Sequence, residues 1–181
     1  MALRINSNAR KAAAWGVFSA LALALSWAES TLAPLLHLPF GVKPGFSNIA
    51  VMLAAGTLGL PAGLAVSAAK ALFAGVTRGP TALLLSGAGG VLSALVTGGL
   101  LRPSKKSRRI CAACRVTETG VGILGGVTHN LAQLGLAALL TGTPGILWTA
   151  PALLICGGLA GAATGTLVKL LRRGRWLGQT K

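Results

Sequence analysis

Long apolar segments alternate along this chain with short groups of cations, glycines and prolines. Four of them are long enough for a helix that crosses a membrane, at about residues 12–34, 80–101, 119–141 and 145–170. Residues 46–75 are apolar for longer than one crossing needs, and the sequence GTLGLPAG interrupts them at 56–63. Glycine and proline favour a break there, which predicts two short helices joined by a tight turn. The pattern therefore predicts an all-α integral membrane protein with six transmembrane helices.

The basic residues lie between the apolar segments and predict an orientation. Thirteen of the seventeen Lys and Arg residues lie in a basic N-terminal tail, a basic loop and a basic C-terminal tail, at residues 1–11, 102–118 and 171–181. The connections on the opposite side hold only Lys43 and Arg78. Cytoplasmic loops are enriched in cations, so we expect one transmembrane domain over residues 1–181 with both termini cytoplasmic. A single long helix over residues 46–75 would instead give five spans and place a heavy basic cluster outside.

Composition agrees with a multi-pass protein of the cytoplasmic (inner) membrane. Hydrophobic residues make up 53% of the 181 residues, and the mean hydropathy is +0.72. The net charge of +15 would suggest nucleic-acid binding on a soluble domain, but this chain leaves almost no polar surface for a duplex. Cys111 and Cys114 form a CxxC without a second pair, which favours two ordinary thiols over a metal or redox site. We therefore expect no nucleic-acid partner, metal or cofactor.

The stretch GVKPGFSN, at residues 41–48, places a cation between two apolar segments. Pro44 suits the first turn of the second helix, and Gly41 and Gly45 allow a sharp turn before it. A helix N-terminus facing outward carries unpaired N–H groups, to which Lys43 adds a full charge. The stretch is compatible with an anion site, and equally with a lysine that reaches the lipid headgroups.

Ionisable and amide side chains also occur inside the predicted spans. Lys70 is expected near the bilayer midplane, where an unpaired cation costs about 3 kcal/mol, so it should face the interior and have a partner. His129 and Gln133 share one helix face. Lys70 and Glu29 could form a purely structural ion pair, or the polar groups could bind a ligand. The candidate substrate-binding set is Glu29, Lys43, Asn48, Lys70, Arg78, His129, Asn130 and Gln133.

Small residues recur every fourth position on two of the predicted helices. Gly157, Gly161 and Gly165 form such a face near the C-terminus, and the first helix carries Ala20, Ala24 and Ala28. Faces of this kind allow helices to approach closely, usually within one chain. On the first helix the face could also dock another membrane protein.

The inventory contains no enzyme site. The sequence has no nucleophile with a nearby histidine and acid, no Walker loop and no paired carboxylates, and it contains no aspartate with which to hold Mg²⁺ against a diphosphate. One intramembrane acid also falls short of a transporter that works alone. We expect a binding subunit that is not an enzyme and depends on a partner for energy.

Several motifs occur in a characteristic order: Glu29, GVKPGFSNI at 41–49, Lys70 followed by FAG, LSGAGGVLSALV at 85–96 and GGVTHNLAQL at 125–134. Together they resemble the Gx transporter family, also known as heptaprenyl diphosphate synthase component I, over roughly residues 15–170. That family is similar to the six-helix substrate-binding S components of energy-coupling factor (ECF) vitamin transporters. The resemblance implies that Ala20, Ala24 and Ala28 meet a transmembrane coupling subunit, which two cytosolic ATPases drive.

Two functions remain open at this point. The first is an S component that captures a small, wholly or partly anionic vitamin or precursor metabolite. The second is a non-catalytic membrane accessory subunit linked to polyprenyl diphosphate or quinone biosynthesis, which holds a soluble enzyme through its basic loop. The same loop could simply contact anionic membrane lipid.

Overall fold

The computed structural model describes residues 7–35, 45–101 and 117–173, and all regular structure in these ranges is helical. The helices are α1 (Ser7–Leu35), α2 (Asn48–Thr57), α3 (Leu60–Arg78), α4 (Pro80–Leu101), α5 (Glu118–Thr141) and α6 (Ala150–Arg173), with a 3-10 helix at Pro144–Thr149 before α6. Lys43, Cys111, Cys114 and most of the three basic segments lie outside the described residues.

Five helices are long and apolar enough to cross a membrane, as expected of a multi-pass membrane protein, and α2 is a shorter apolar helix. The all-α prediction is confirmed, and the described ranges contain six α-helices, but only five of them, not the predicted six, are long enough to cross a membrane. The predicted break in residues 46–75 is also present, because α2 ends at Thr57 and α3 begins at Leu60. The predicted short third helix is wrong, since α3 continues for 19 residues to Arg78.

Glycines with positive φ lie in the short connections between α2 and α3 and between α3 and α4. Gly59 (φ 99°) separates α2 from α3, and Gly79 (φ 94°) separates α3 from α4. Side chains with a β-carbon rarely adopt this conformation. Pro61 and Pro80 stand in the first turns of the helices that follow, where a missing N–H costs nothing. The sequence thereby specifies where three antiparallel helices reverse.

Helix α2 lies at the centre of the bundle and reaches through only about half of its depth. Its 10 residues span about 15 Å, whereas a hydrocarbon core is about 30 Å thick. Its first residue, Asn48, bonds Ser93, which is the fourteenth of 22 residues in α4. The helix therefore begins at mid-depth. The expectation that Pro44 starts this helix is wrong, because the helix begins four residues later.

Two clusters of buried apolar residues surround α2. One consists mainly of alanine and valine from α1 to α4: Ala22, Ala50, Val51, Ala54, Ala62, Val66 and Ala94. The other joins Met52 and Leu53 of α2 to the end of α4, the start of α5 and the last turns of α6, at Leu101, Val121 and Val168. The half of the bundle that contains α2 is therefore a closely packed apolar core.

Helices α5 and α6 approach each other through glycine. A β-carbon added at Gly126 would overlap the Gly157 carbonyl oxygen, and one at Gly161 would lie 2.8 Å from Ile123 Cα. Both obstacles are backbone atoms, which cannot rotate away. The predicted small-residue face on α6 is thus an intramolecular packing surface, as faces of this type commonly are.

Candidate functional site

Several buried hydroxyl groups in the bundle bond the backbone of their own helix. The hydroxyls of Thr57, Thr97 and Thr164 donate to the carbonyl oxygens four residues earlier, at 2.6 to 2.7 Å. Among the described residues, three buried side-chain atoms have no hydrogen-bond partner: Asn48 Oδ1, Ser67 Oγ and His129 Nδ1. Buried polar atoms are normally paired, so these three atoms mark the middle of the bundle as a candidate site.

Glu29 and Lys70 form a polar cluster through Ser47, and we refer to these three residues as the charge cluster. The Glu29 carboxylate accepts from the Ser47 backbone N–H at 3.0 Å and from the Ser47 hydroxyl at 2.8 Å. The Lys70 ammonium donates to the same hydroxyl oxygen at 3.4 Å. Glu29 is 3% exposed and Lys70 2% exposed, so opposite charges compensate each other away from water.

The N-terminus of α2 is bound by a carboxylate of the charge cluster. Glu29 reaches across from α1 and accepts a bond from Ser47, the residue that precedes α2, so an internal carboxylate occupies the anion position predicted there. The structural interpretation of Glu29 and Lys70 gains support from this arrangement, with the Ser47 hydroxyl between the two charges. Lys70 has only one, long bond among the described residues, although an ammonium has three donors.

The remaining predicted cations differ in position. Arg78 is exposed and is the last residue of α3, close enough to Glu29 for electrostatic attraction. Lys43 lies outside the described residues. Among the described residues, the single acid in this region, Glu29, is near two cations, Lys70 and Arg78.

His129 and Gln133 contact each other, as their spacing on α5 predicts. Gln133 Nε2 lies 3.2 Å from His129 Nε2. The imidazole lies close to α4 at Gly89, where an added β-carbon would be 2.8 Å from His129 Nδ1 and from Gln133 Cγ. The SGAGG motif therefore makes room on α4 for the polar side chains of α5.

A cleft lies where the N-terminus of α2 meets α5 and α6, and we call it the α2–α5–α6 cleft. Its lining residues are Gly45, Asn48, Gly126, His129, Asn130, Gly157, Ala160, Gly161 and Thr164. The free volume inside the cleft is about 10 Å³, room for about one water molecule. Three predicted binding residues, Asn48, His129 and Asn130, thus line one cavity.

The amide groups in the cleft are held by α4 and α6. Asn48 Nδ2 donates to Ser93 Oγ at 2.7 Å, and Asn130 Nδ2 donates to the Leu153 carbonyl oxygen at 2.8 Å. A β-carbon at Gly157 would lie 2.6 Å from Asn130 Nδ2, so glycine is required for this bond. Each side chain is fixed through its nitrogen.

The predicted set therefore separates into two neighbouring groups joined by the adjacent residues Ser47 and Asn48. Glu29 and Lys70 belong to the charge cluster, whereas Asn48, His129 and Asn130 line the cleft, with Gln133 behind His129. Their role in binding stays a prediction. Sequence reasoning missed Ser47, Ser93 and Thr164, because a serine or threonine in an apolar helix usually bonds its own backbone and carries no distinctive signal.

The predicted docking face of α1 points away from the bundle. Ala20 and Ala24 are exposed and Ala28 is half-buried, whereas Ala22, Ser26 and Glu29 face α2 and α3. A β-carbon at Gly16, one turn before Ala20, would meet nothing within 4 Å. Glu29 and this small-residue stripe therefore lie on different faces of α1.

Comparison with known proteins identifies a family. Residues 18–171 match the family described as Heptaprenyl diphosphate synthase component I. No curated protein and no solved structure matches the chain. Since the match covers most of the chain, including α2 to α5 completely, this protein belongs to the heptaprenyl diphosphate synthase component I family.

Proposed function

We propose that this protein is the substrate-binding S component of an ECF-type uptake transporter for a small, partly anionic vitamin or precursor metabolite. The main support for this proposal is that α2 is only about half as long as a membrane-crossing helix. It fills one half of the bundle's centre, and buried polar side chains gather where it begins. Ligand sites in membrane bundles commonly lie near mid-depth, at helices that are interrupted there.

The orientation follows from the distribution of basic residues. With both termini in the cytoplasm, the N-terminus of α2 points toward the outside of the cytoplasmic (inner) membrane. A substrate would then enter from outside and rest on the charge cluster and the α2–α5–α6 cleft. Lys43 and Arg78 would add positive charge at the entrance and attract an anion.

Lys70 is the residue that we assign to the anionic part of the substrate. Its ammonium is buried and has one bond of 3.4 Å to a described residue, and we assign its other two N–H donors to the ligand. Arg78 supplies a second cation near the same carboxylate. A bound anion would balance the excess of positive charge around Glu29.

Uptake requires partners that the chain itself does not supply. We propose that the exposed stripe of Ala20, Ala24 and Ala28 contacts a transmembrane coupling subunit, whose cytosolic ATPases provide the energy. Reorientation of the whole bundle against that subunit would then release the substrate inward. We assign the remaining exposed apolar surface, including Trp27 and Val76, to contact with membrane lipid.

Substitution of Lys70 by methionine should abolish retention of the substrate. Methionine keeps the length and much of the volume of the side chain but removes the ammonium. Glu29 keeps both bonds from Ser47, so the bundle should remain folded. Small molecules released by denaturing protein purified from its host membrane are identified by mass spectrometry, and the yield should fall by at least about tenfold.

Lys11→Met is the matched control, because Lys11 is exposed at the start of α1 and the change in net charge is identical. It should release as much small molecule as the wild type. If Lys70→Met releases the same compound in the same yield, Lys70 has no part in binding. If the wild type releases no small molecule at all, the capture function itself is contradicted.

Substitution of Ala24 by leucine should prevent association with the coupling subunit and spare substrate retention. The larger side chain would project from a stripe that must approach another helix closely, which costs about 1–3 kcal/mol or roughly a ten- to hundredfold loss of association. The measurement is the amount of coupling subunit that co-purifies with tagged protein.

Ala163→Leu serves as its control, since Ala163 is exposed on α6 outside the stripe. Co-purification should be normal for this variant. Equal recovery of the coupling subunit with Ala24→Leu would remove the docking assignment, and a loss with both variants would indicate a general effect of added bulk.

The family description supports a second function, a non-catalytic accessory subunit in polyprenyl diphosphate or quinone biosynthesis. This function requires a soluble enzyme partner, held by the basic loop, rather than a retained small molecule. Cross-linking in membranes separates the two: ATPases of a coupling module support the S component, whereas a prenyl-chain synthase supports the accessory subunit.

A further inference from the structure

The connection between α5 and α6 exposes large apolar side chains. It consists of Gly142 and Thr143, followed by the 3-10 helix Pro144–Thr149, none of whose residues is buried. Trp148 is 89% exposed and Leu147 is 48% exposed. Exposed apolar surface of this kind marks contact with a membrane or with another protein, whereas a connection that lies in water usually carries charged side chains.

The 3-10 helix has two different sides. Ile146 packs, together with Ala150, against the buried pair formed by Leu134 of α5 and Leu153 of α6. Trp148 is exposed, so its side chain points away from the bundle. The bundle therefore fixes this segment through Ile146 and presents the indole of Trp148 to whatever surrounds the protein.

The length of α6 gives the depth of this segment in a bilayer. Lys169 is the first charged residue after Glu118, and a lysine near the end of a membrane helix extends to the membrane surface. At 1.5 Å per residue, Ala150 lies about 29 Å from Lys169 along α6, and a hydrocarbon core is about 30 Å thick. With Lys169 at one surface, the 3-10 helix that precedes Ala150 lies at the opposite surface.

We propose that the 3-10 helix Pro144–Thr149 is a lipid-binding segment that lies along the membrane surface, with the Trp148 indole inserted at the depth of the headgroups. Tryptophan favours this depth, because its ring is apolar while its N–H can donate to a lipid carbonyl or phosphate. The segment has no charged residue, so it binds zwitterionic phosphatidylcholine as well as anionic lipid. This contact does not depend on the capture function, since it involves neither Lys70 nor the cleft.

Depth-dependent quenching of tryptophan fluorescence tests the proposal. The full chain is placed in phosphatidylcholine nanodiscs whose lipids carry a nitroxide either on the headgroup or near the end of an acyl chain. The chain contains four tryptophans, so the signal of Trp148 is taken as the difference between the wild type and Trp148→Phe. The headgroup label should quench this signal at least about twofold more than the deep label, because the two lie about 15 Å apart, half of a hydrocarbon core.

Trp27 is the matched control, because it is also exposed, at 61%, but lies deeper. It precedes Glu29 by two residues, and the Glu29 carboxylate bonds Ser47 at the mid-depth start of α2. The difference between the wild type and Trp27→Phe should show stronger quenching by the deep label. Both variants replace exposed side chains, so each should keep the unfolding temperature of the wild type. Equal depth profiles for the two tryptophans would contradict the assignment.

Three other outcomes would overturn the proposal. Quenching of Trp148 by iodide in water, without quenching by either lipid label, would place the segment in solvent. Protection from iodide and from both labels would show that protein covers it, such as a second copy of the chain. Addition of phosphatidylglycerol should leave the profile unchanged, so a requirement for anionic lipid would contradict a contact made without charge.

Discussion

Substitution of Glu29 by alanine should lower the free energy of unfolding by about 3–5 kcal/mol. The carboxylate accepts two bonds from Ser47 and compensates the buried charge of Lys70. Without it, the ammonium keeps a single bond of 3.4 Å in an apolar interior. A fully buried cation that has lost its counter-charge is among the costliest defects in a bundle of this kind.

Thermal unfolding in detergent, followed by circular dichroism, measures this effect. The double variant Glu29→Ala with Lys70→Met should recover most of the lost stability, because it removes the orphaned charge. Lys70→Met alone should cost less than Glu29→Ala, since Ser47 still donates twice to the remaining carboxylate. Equal costs for the two single variants, or no recovery in the double variant, would show that the charges are not coupled.

Substitution of Gly161 by alanine should destabilise the bundle by about 3 kcal/mol or more. The added methyl group would overlap the Gly122 carbonyl oxygen and lie 2.8 Å from Gly122 C and Ile123 Cα. All of these atoms belong to the backbone of α5, so the two helices must separate. The Asn130 bond to Leu153 and the cleft would be lost together with the contact.

Gly158→Ala is an internal comparison on the same helix. A β-carbon at Gly158 meets nothing within 4 Å, so the same chemical change should alter stability by no more than about 1 kcal/mol. Protein yield and unfolding temperature in detergent report both variants. A Gly161→Ala protein as stable as Gly158→Ala would mean that α5 and α6 are less tightly apposed than described here.

The helices were predictable from the sequence because their signals are local. Apolar length defines α1, α4 and α5, and the Gly59 and Pro61 pair marks the reversal between α2 and α3. The start of α2 was not predictable. Proline at position 44 suits a first helical turn, but the N-terminal partner of α2 is Glu29, which is 18 residues distant in sequence. A helix boundary set by a tertiary contact leaves no local signature.

The sequence could predict which polar side chains lie inside the bundle but not how they group there. Charged and amide residues inside apolar helices are conspicuous, and those described in the interior do face inward, including Lys70 and Asn130. Their division into a charge cluster and a neutral cleft depends on helix rotation, which small residues such as Gly89 and Gly157 decide. Periodicity gives the face of each helix but not which neighbour that face meets.

The packed apolar half around α2 also makes the bundle a barrier. Met52, Val51 and Val168 are almost completely shielded there. A solute resting above α2 has no wetted route past it. The isolated protein should therefore be silent in liposome leak and conductance assays.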